Sequence, residues 1–453
     1  MVTGSSRAAE TVLRADAMLT PDGPVPDAEL AFGPDGRIAY AGRARAGSVV
    51  SHDLRGHALM PGLVNGHTHS AMTLQRGVSD DDGFMPWLSA VQAMEQHLTR
   101  DDVEAGLQLA LVEMIASGTT AFADMYHWDV GLLDLVRESG MRVLAAPATF
   151  APDRVGFPGV SPMNGAETTA FTEELAERFA GDPQIRIAYG PHAPYTCPPG
   201  FLRDLAERSR RTGIPIHIHL SESAAEIREI GDRHGVRPVG HLNELGLLGA
   251  GGGGASRARL LAAHCVHLED AEIALLAASG AAVSHNPVSN LKLGTGIARL
   301  PEMVSAGIRL TLGTDSVASN NSLDLFEEIK LATVLHRGAR QDAAAVRAAD
   351  VLDIATRRGA EAIGFPETGS LEVGRRADVI ALDVRGAGAA PFAPETLVSH
   401  LGFTARGADV RHVFIGGRHV YAEGRHLTLD AAAVVTRASR AAERLRAAAA
   451  ARG

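Results

Sequence analysis

The chain of 453 residues is 45% hydrophobic and 21% charged, with a formal net charge of −10. That is the balance of an ordinary water-soluble globular protein, and it offers no broad basic surface for a nucleic-acid backbone. Two cysteines, Cys197 and Cys265, exclude a disulfide framework and a C-x-x-C motif. The first ten residues carry no apolar signal-peptide core and no apolar run is long enough to span a bilayer, so a cytoplasmic protein without a membrane partner is expected.

Length alone suggests about three domains, although barrel folds often run to roughly 250 residues or more as one unit. Residues 11–57 read as short strands broken by turns, with Pro34-Asp35-Gly36 marking a hairpin. Matching β segments recur at 374–383 and 410–420, so the two ends are expected to pair into one small β-sandwich. Between them, candidate strands at 58–69, 118–125, 141–148, 185–192, 215–222, 260–267, 281–287 and 309–316 alternate with helical patterns such as 100–117, 168–180 and 323–335. Eight strands alternating with helices predict a (β/α)8 barrel of the TIM type, in the α/β class. The expected division is 1–57 and 371–427 for the two parts of the sandwich, 58–370 for the barrel and 428–453 for a terminal helix. The glycine-rich stretch 250–255 reads as a surface connection before the sixth strand.

In such a barrel the C-terminal strand ends form the active face. The candidate strands here end in His67 and His69, His192, His217 and His219 with Glu222, His264 and His267, His285, and Asp315. Packing alone does not explain a polar residue at so many strand ends. His67 and His69, two apart, project from one face of a strand. With His219 and Asp315 they make three imidazoles and one carboxylate, a set suited to one divalent metal ion, Zn²⁺ or another borderline ion such as Fe²⁺. An open position would hold a water whose pKa falls towards ~7.

The motifs P-G-L-V-N-G-H-T-H-S-A-M-T-L, G-P-H-A-P-Y-T-C, H-L-S-E-S, A-A-H-C-V-H-L, V-S-H-N-P-V-S-N-L-K-L-G and L-G-T-D-S-V-A-S-N-N-S-L-D-L-F-E-E resemble, in order, those of the amidohydrolase superfamily. The similarity runs from about residue 58 to 383 and is greatest to the 5′-methylthioadenosine/S-adenosylhomocysteine deaminase group. It implies metal ligation by His67, His69, His219 and Asp315, proton shuttling by Glu222, and orientation or deprotonation of the nucleophilic water by His264 with Asp315. It further implies hydrolytic deamination of an adenosine-type nucleoside to its inosine form and ammonia. The bridging carboxylated lysine of two-metal relatives has no candidate in the eight strands, so one metal is expected.

The expected substrate-binding residues are Trp87, Glu95, His192 and Ser319: the resemblance puts Trp87 near the base or ribose, Glu95 on the ribose hydroxyls, and His192 at the ring or sugar edge. Blander readings stand beside these. Glu222 could be a helix-start carboxylate, Trp87 could be ordinary core, and His217 and His267 read as structural, with the role of His285 open. Cys197 and Cys265 read as small buried residues, and Met72, Met85 and Met94 as packing or pocket wall. Three departures from the family pattern stand out: Pro147 where an arginine is expected after the third strand, with Arg154 nearby; Ser316 after the metal Asp; and Gly66 before H-T-H. The missing arginine favours a smaller 5′-substituent than homocysteine. The rival readings are an aminohydrolase or chlorohydrolase of another heterocycle and a non-catalytic ligand-binding barrel. The partner is a small nucleoside and not a nucleic acid, with a homo-oligomer left open.

Overall fold

The computed structural model describes residues 10–248 and 259–451. The expectations for the extreme N-terminus and for the connection at 250–255 lie outside the described residues. Four strands open the chain: β1 (Thr11–Thr20), β2 (Gly23–Phe32), β3 (Ile38–Arg43) and β4 (His52–Pro61). The central strands follow as β5 (Leu63–Thr68), β6 (Thr119–Tyr126), β7 (Arg142–Thr149), β8 (Ile185–Ile187), β9 (Gly190–Pro191), β10 (Ile216–Leu220), β11 (Leu260–His264), β12 (Ala282–His285) and β13 (Arg309–Leu312). The last four are β14 (Val379–Asp383), β15 (Val410–Ile415), β16 (Arg418–Ala422) and β17 (Arg425–His426).

The central strands form the expected parallel barrel, in the order β10-β11-β12-β13-β5-β6-β7-β8. A parallel bridge between Tyr189 and Ile216 closes it. Strands of this kind are buried on both faces and read as continuous apolar runs; every residue of β5 and β6 is buried. The fourth barrel strand, expected as one piece over 185–192, is split into β8 and β9. The break falls at Ala188-Tyr189, where Tyr189 bridges to Ile216, and the short β9 pairs with β7 as β8 does.

The two ends of the chain meet in one eight-stranded sheet, β17-β16-β15-β14-β4-β1-β2-β3. It curls so that Phe32 meets Phe414 edge to face, ring centroids 6.0 Å apart, over a core of Leu13, Leu30, Ile38, Leu59 and Val379. At the hairpin turn a Cβ on Gly36 would lie 2.0 Å from the Gly416 carbonyl oxygen, so only glycine permits that approach. β4 pairs with β1 and β14 as far as Pro61, so this sheet extends past residue 57. The apolar run 58–69 is continuous in hydrophobicity, and the change from one sheet to the other falls at Pro61-Gly62.

Two contacts fix the sheet and the last helix to the barrel. Arg142 on β7 donates from Nε and Nη2 to both carboxylate oxygens of Asp378, at 2.8 and 2.9 Å, with both side chains almost fully buried. The helix Ala431–Ala450 lies on the helix Arg100–Ala116, where Arg437 pairs with Glu104 and Arg444 with Asp102. Asp102 also completes a capping box with Thr99 that starts the second of these helices. Among the described residues no helix is long and apolar enough to cross a membrane.

Candidate active site

The expected metal ligands converge at the C-terminal ends of the barrel strands. His67 lies on β5 and His69 just beyond it, with ring centroids 4.8 Å apart. His69 Nε2 is 3.2 Å from Nε2 of His219, which lies on β10. Asp315 Oδ1 is 3.4 Å from Nε2 of His67 and 3.3 Å from Nε2 of His69. Ligand bonds of ~2.1 Å around a tetrahedral ion place donor atoms roughly 3.3 Å apart.

The other ring nitrogens are held by acceptors. His69 Nδ1 lies 2.6 Å from the Met125 carbonyl oxygen and His219 Nδ1 lies 2.7 Å from that of His192. A carbonyl can only accept, so in the neutral rings the proton sits on Nδ1 and Nε2 is a bare lone pair. His67 Nδ1 meets Nε2 of His217 at 2.9 Å, and His67 Nε2 is sealed from solvent without a hydrogen-bond partner. Three lone pairs and a carboxylate oxygen directed at one point fit a divalent cation.

The electrostatics agree. Burial pushes His67 down to about 4 despite Asp315, and burial with neighbouring imidazoles holds His219 well below the ordinary histidine value. At His69 burial opposes the charge, but Asp315, Asp124 and the Met125 carbonyl outweigh it and raise the pKa to about 9. Asp315 is held well below the usual carboxylate range: its burial, which acts the other way, is overcome by the two imidazoles. A proton on His69 thus stands where a metal ion would bind.

Neighbouring residues that sequence reading left without a role hold these groups in place. Asn65 and Thr314 exchange two hydrogen bonds, 2.7 and 3.0 Å, which tie β5 to the segment after β13. Asp315 N–H then donates to the His67 carbonyl at 2.9 Å. Asp124 accepts from the Thr68 hydroxyl, the Ser70 N–H and the Trp128 ring N–H, fixing the exit from β5. Asp315 Oδ2 accepts from Ser289 at 2.6 Å and Ser319 at 2.9 Å. Ser319, expected at the substrate, is fully buried and does not line the cavity; its hydroxyl is spent on Asp315. Ser316 stabilises the same turn, its hydroxyl accepting from the Ser319 N–H at 3.1 Å. Gly66 is explained by Thr311, whose Cγ2 would lie 2.0 Å from a Cβ at that position.

Glu222 and His264 lie beside the expected ligands in the wall of a cavity. Glu222 Oε1 is 3.8 Å from His264 Nδ1, and burial raises its pKa above the ordinary carboxylate value. His264 Nδ1 lies 2.9 Å from Asn290 Oδ1, closer than the 3.4 Å to the Asn286 amide nitrogen; a proton on Nδ1 given to Asn290 leaves Nε2 as an acceptor. Ser221, His264, Cys265 and Asp315 all adopt positive φ, between 49° and 72°. Such strain clusters where the surrounding structure over-determines a functional geometry.

The same cavity is lined by Trp87, Glu95 and His192, as expected, with Tyr126, Phe150 and Phe157 completing an aromatic wall. Trp87 donates to the Ala318 carbonyl at 3.0 Å, and Glu95 Oε1 accepts from Tyr126 at 2.6 Å, leaving Oε2 for a ligand. His192 Nδ1 lies 3.0 Å from the Thr196 hydroxyl, and its ring stacks on Phe150. Exposed Arg154 lies over the Phe150 ring itself, its guanidinium carbon 4.7 Å from the ring centroid. Met72 lines the cavity and Met94 is buried, whereas Met85 is 58% exposed. His267 Nε2 donates to the Thr295 carbonyl at 2.8 Å, His285 is buried against His336, and both cysteines are buried.

A parallel barrel whose C-terminal face gathers this imidazole–carboxylate set is the architecture of one family: residues 58–420 match the amidohydrolase family, and the chain belongs to it. It is 42% identical over 412 residues to a 5-methylthioadenosine/S-adenosylhomocysteine deaminase of Syntrophobacter fumaroxidans, covering 90% of this chain and 89% of the relative. It is 40% identical over 419 residues to a 5'-deoxyadenosine deaminase of Methanosarcina barkeri, covering 91% and 92%. A crystal structure of an adenosine deaminase from Xanthomonas campestris with bound zinc matches with a TM-score of 0.90 at 31% identity, over 98% of this chain and all of that one.

Proposed function

We propose that this chain is a metal-dependent aminohydrolase that converts an adenosine-type nucleoside and water into the inosine form and ammonia. One observation carries this reading: a buried carboxyl group, Glu222, shares a cavity with His69, His219 and Asp315, which cluster with His67, and with a wall of Trp87, Glu95 and His192. The names of relatives at about 40% identity over nine-tenths of the chain support it.

The four clustered residues would hold one divalent ion, Zn²⁺ in preference to Fe²⁺. Such an ion, when bound, supplies a Lewis acid that makes water nucleophilic near neutral pH. Glu222, whose pKa burial raises, gives its proton to the ring nitrogen beside the carbon that water attacks. His264, with Nδ1 committed to Asn290, accepts a proton from that water at Nε2. Asp315 stays ionised beside it and orients the same water. His264 then passes its proton to the exocyclic amine while Glu222 takes the proton of the hydroxyl now on that carbon, so the C–N bond breaks, ammonia leaves and both groups are restored. Trp87 covers the flat base, and Glu95 Oε2 accepts from the ribose hydroxyls. The apolar wall of Phe150 and Phe157 suits a deoxy or methylthio 5′-group better than a charged tail.

Ammonia release by zinc-loaded protein tests this against adenosine, 5′-deoxyadenosine, 5′-methylthioadenosine, S-adenosylhomocysteine, guanine and an aminotriazine. Turnover of the adenosines, with the homocysteine adduct poorest, is expected. Silence on every nucleoside with activity on a bare ring would discard the substrate assignment and keep the metal chemistry.

A further inference from the structure

The terminal sheet carries a second cluster of imidazoles that deamination does not use. His57 lies on β4, His412 on β15, and Glu423 in the turn between β16 and β17. One ligand atom from each of the three falls within 4.8 Å of the others. None of the three lines the barrel cavity.

His57 is 4% exposed, and its Nδ1 lies 3.2 Å from the Leu54 carbonyl oxygen. The carbonyl fixes the ring proton on Nδ1 and leaves Nε2 as a bare lone pair. That Nε2 is sealed from solvent and has no hydrogen-bond partner. A desolvated acceptor without a donor is unfavourable unless something positive meets it.

Glu423 is set in place from its other side. Its Oε2 accepts from Arg411 Nε at 2.9 Å, and its N–H donates to the Arg411 carbonyl at 2.7 Å. Oε1 remains, 3.3 Å from His412 Nε2. The backbone of Glu423 is left-handed, φ +48°, where a turn ordinarily carries glycine. His412 Nδ1 in turn meets His419 Nε2 at 3.3 Å. Each imidazole therefore has one nitrogen steadied by a neighbour and the other turned towards the carboxylate oxygen, the pattern of oriented metal ligands. Burial also pushes His412 towards its neutral, ligating form.

We propose that His57, His412 and Glu423 form a second, structural site for a divalent transition-metal cation such as Zn²⁺. Two imidazoles and one carboxylate are the donor set of zinc sites that keep a fourth position for water rather than of sites closed by four protein ligands, and the half-exposed Glu423 leaves that position open to solvent. In the sheet β14 lies between β4 and β15. The ion would therefore staple N-terminal to C-terminal chain across an intervening strand, and an ion bound only by the folded state raises its stability.

The test adds Zn²⁺ to holoenzyme whose barrel site is already filled, following stoichiometry by calorimetry and metal analysis and stability by thermal unfolding. A second equivalent and a rise in Tm are expected. Glu423→Gln alters an exposed side chain and is expected to weaken the second equivalent at least tenfold, with the first equivalent and ammonia release unchanged. His412→Ala should remove it too. A wild-type protein that takes up only one zinc overturns the proposal in favour of a plain His412–Glu423 ion pair. So does a second zinc bound equally well by both variants, which would be an adventitious ion only.

Discussion

His67 Nδ1 and His217 Nε2 stand 2.9 Å apart where neither side chain meets solvent. Ligation through His67 Nε2 requires the proton on Nδ1, and His217 is the acceptor that keeps it there. Burial and the surrounding imidazoles hold His217 neutral, well below the ordinary histidine value. His217→Phe is therefore expected to lower metal affinity by roughly 10- to 100-fold, measured by competition with a chelator. Unchanged affinity would mean that His67 is oriented by its packing alone.

Glu222→Gln keeps the shape of the cavity and removes the proton. Metal content should stay at the wild-type level while kcat falls by roughly 10²- to 10⁴-fold. A variant that turns over near the wild-type rate would rule out Glu222 as the proton donor.

Metal affinity should depend on pH through His69. In the metal-free site its pKa is raised to about 9, so below that pH a proton must leave before the ion binds. The apparent affinity is expected to climb by about tenfold per pH unit from near neutrality and to level off above about pH 9. Chelator competition across that range would show a flat profile if His69 were not a ligand.

Ser319 separates positioning of the carboxylate from contact with substrate. Its hydroxyl donates to Asp315 at 2.9 Å and is fully buried. Ser319→Ala should weaken metal binding about tenfold and leave KM nearly unchanged. A raised KM with intact metal affinity would return Ser319 to the substrate.

The Arg142–Asp378 pair joins the barrel to the terminal sheet, and Asp378 also accepts from the Gly416 N–H at 2.6 Å. Removing one partner strands a buried charge. Arg142→Met is expected to cost about 3–5 kcal/mol in unfolding free energy, read from denaturant unfolding of the metal-loaded protein. A loss under about 1 kcal/mol would show that water reaches Asp378.

The barrel and the gathering of imidazoles and carboxylates at its strand ends were legible in the sequence because both are written in local pattern. Apolar runs mark the strands, and H-x-H, H-x-H-L-S-E and T-D-S mark the ends where donors gather. The partners of those donors were not legible. Nothing near His217 in the chain says that it faces His67, 150 residues away. Ser289 and Asn290 sit in a short helix after β12 and find Asp315 and His264 only once the barrel has closed. Ser319 was expected at the substrate, and only the turn held by Ser316 shows that it points back to Asp315. The change of sheet at Pro61-Gly62 was hidden inside one uninterrupted apolar run.

The pairing of β4 with β14 has a consequence for synthesis. The two strands are separated by about three hundred residues of barrel. At ~5–20 residues per second on the ribosome, β1–β4 wait roughly 15–60 s for their partner to be made. During that interval β4 presents an unpaired apolar edge, of the kind that recruits other chains. A nascent chain of this protein therefore needs shielding until its last quarter emerges, and C-terminal truncation exposes that edge for good.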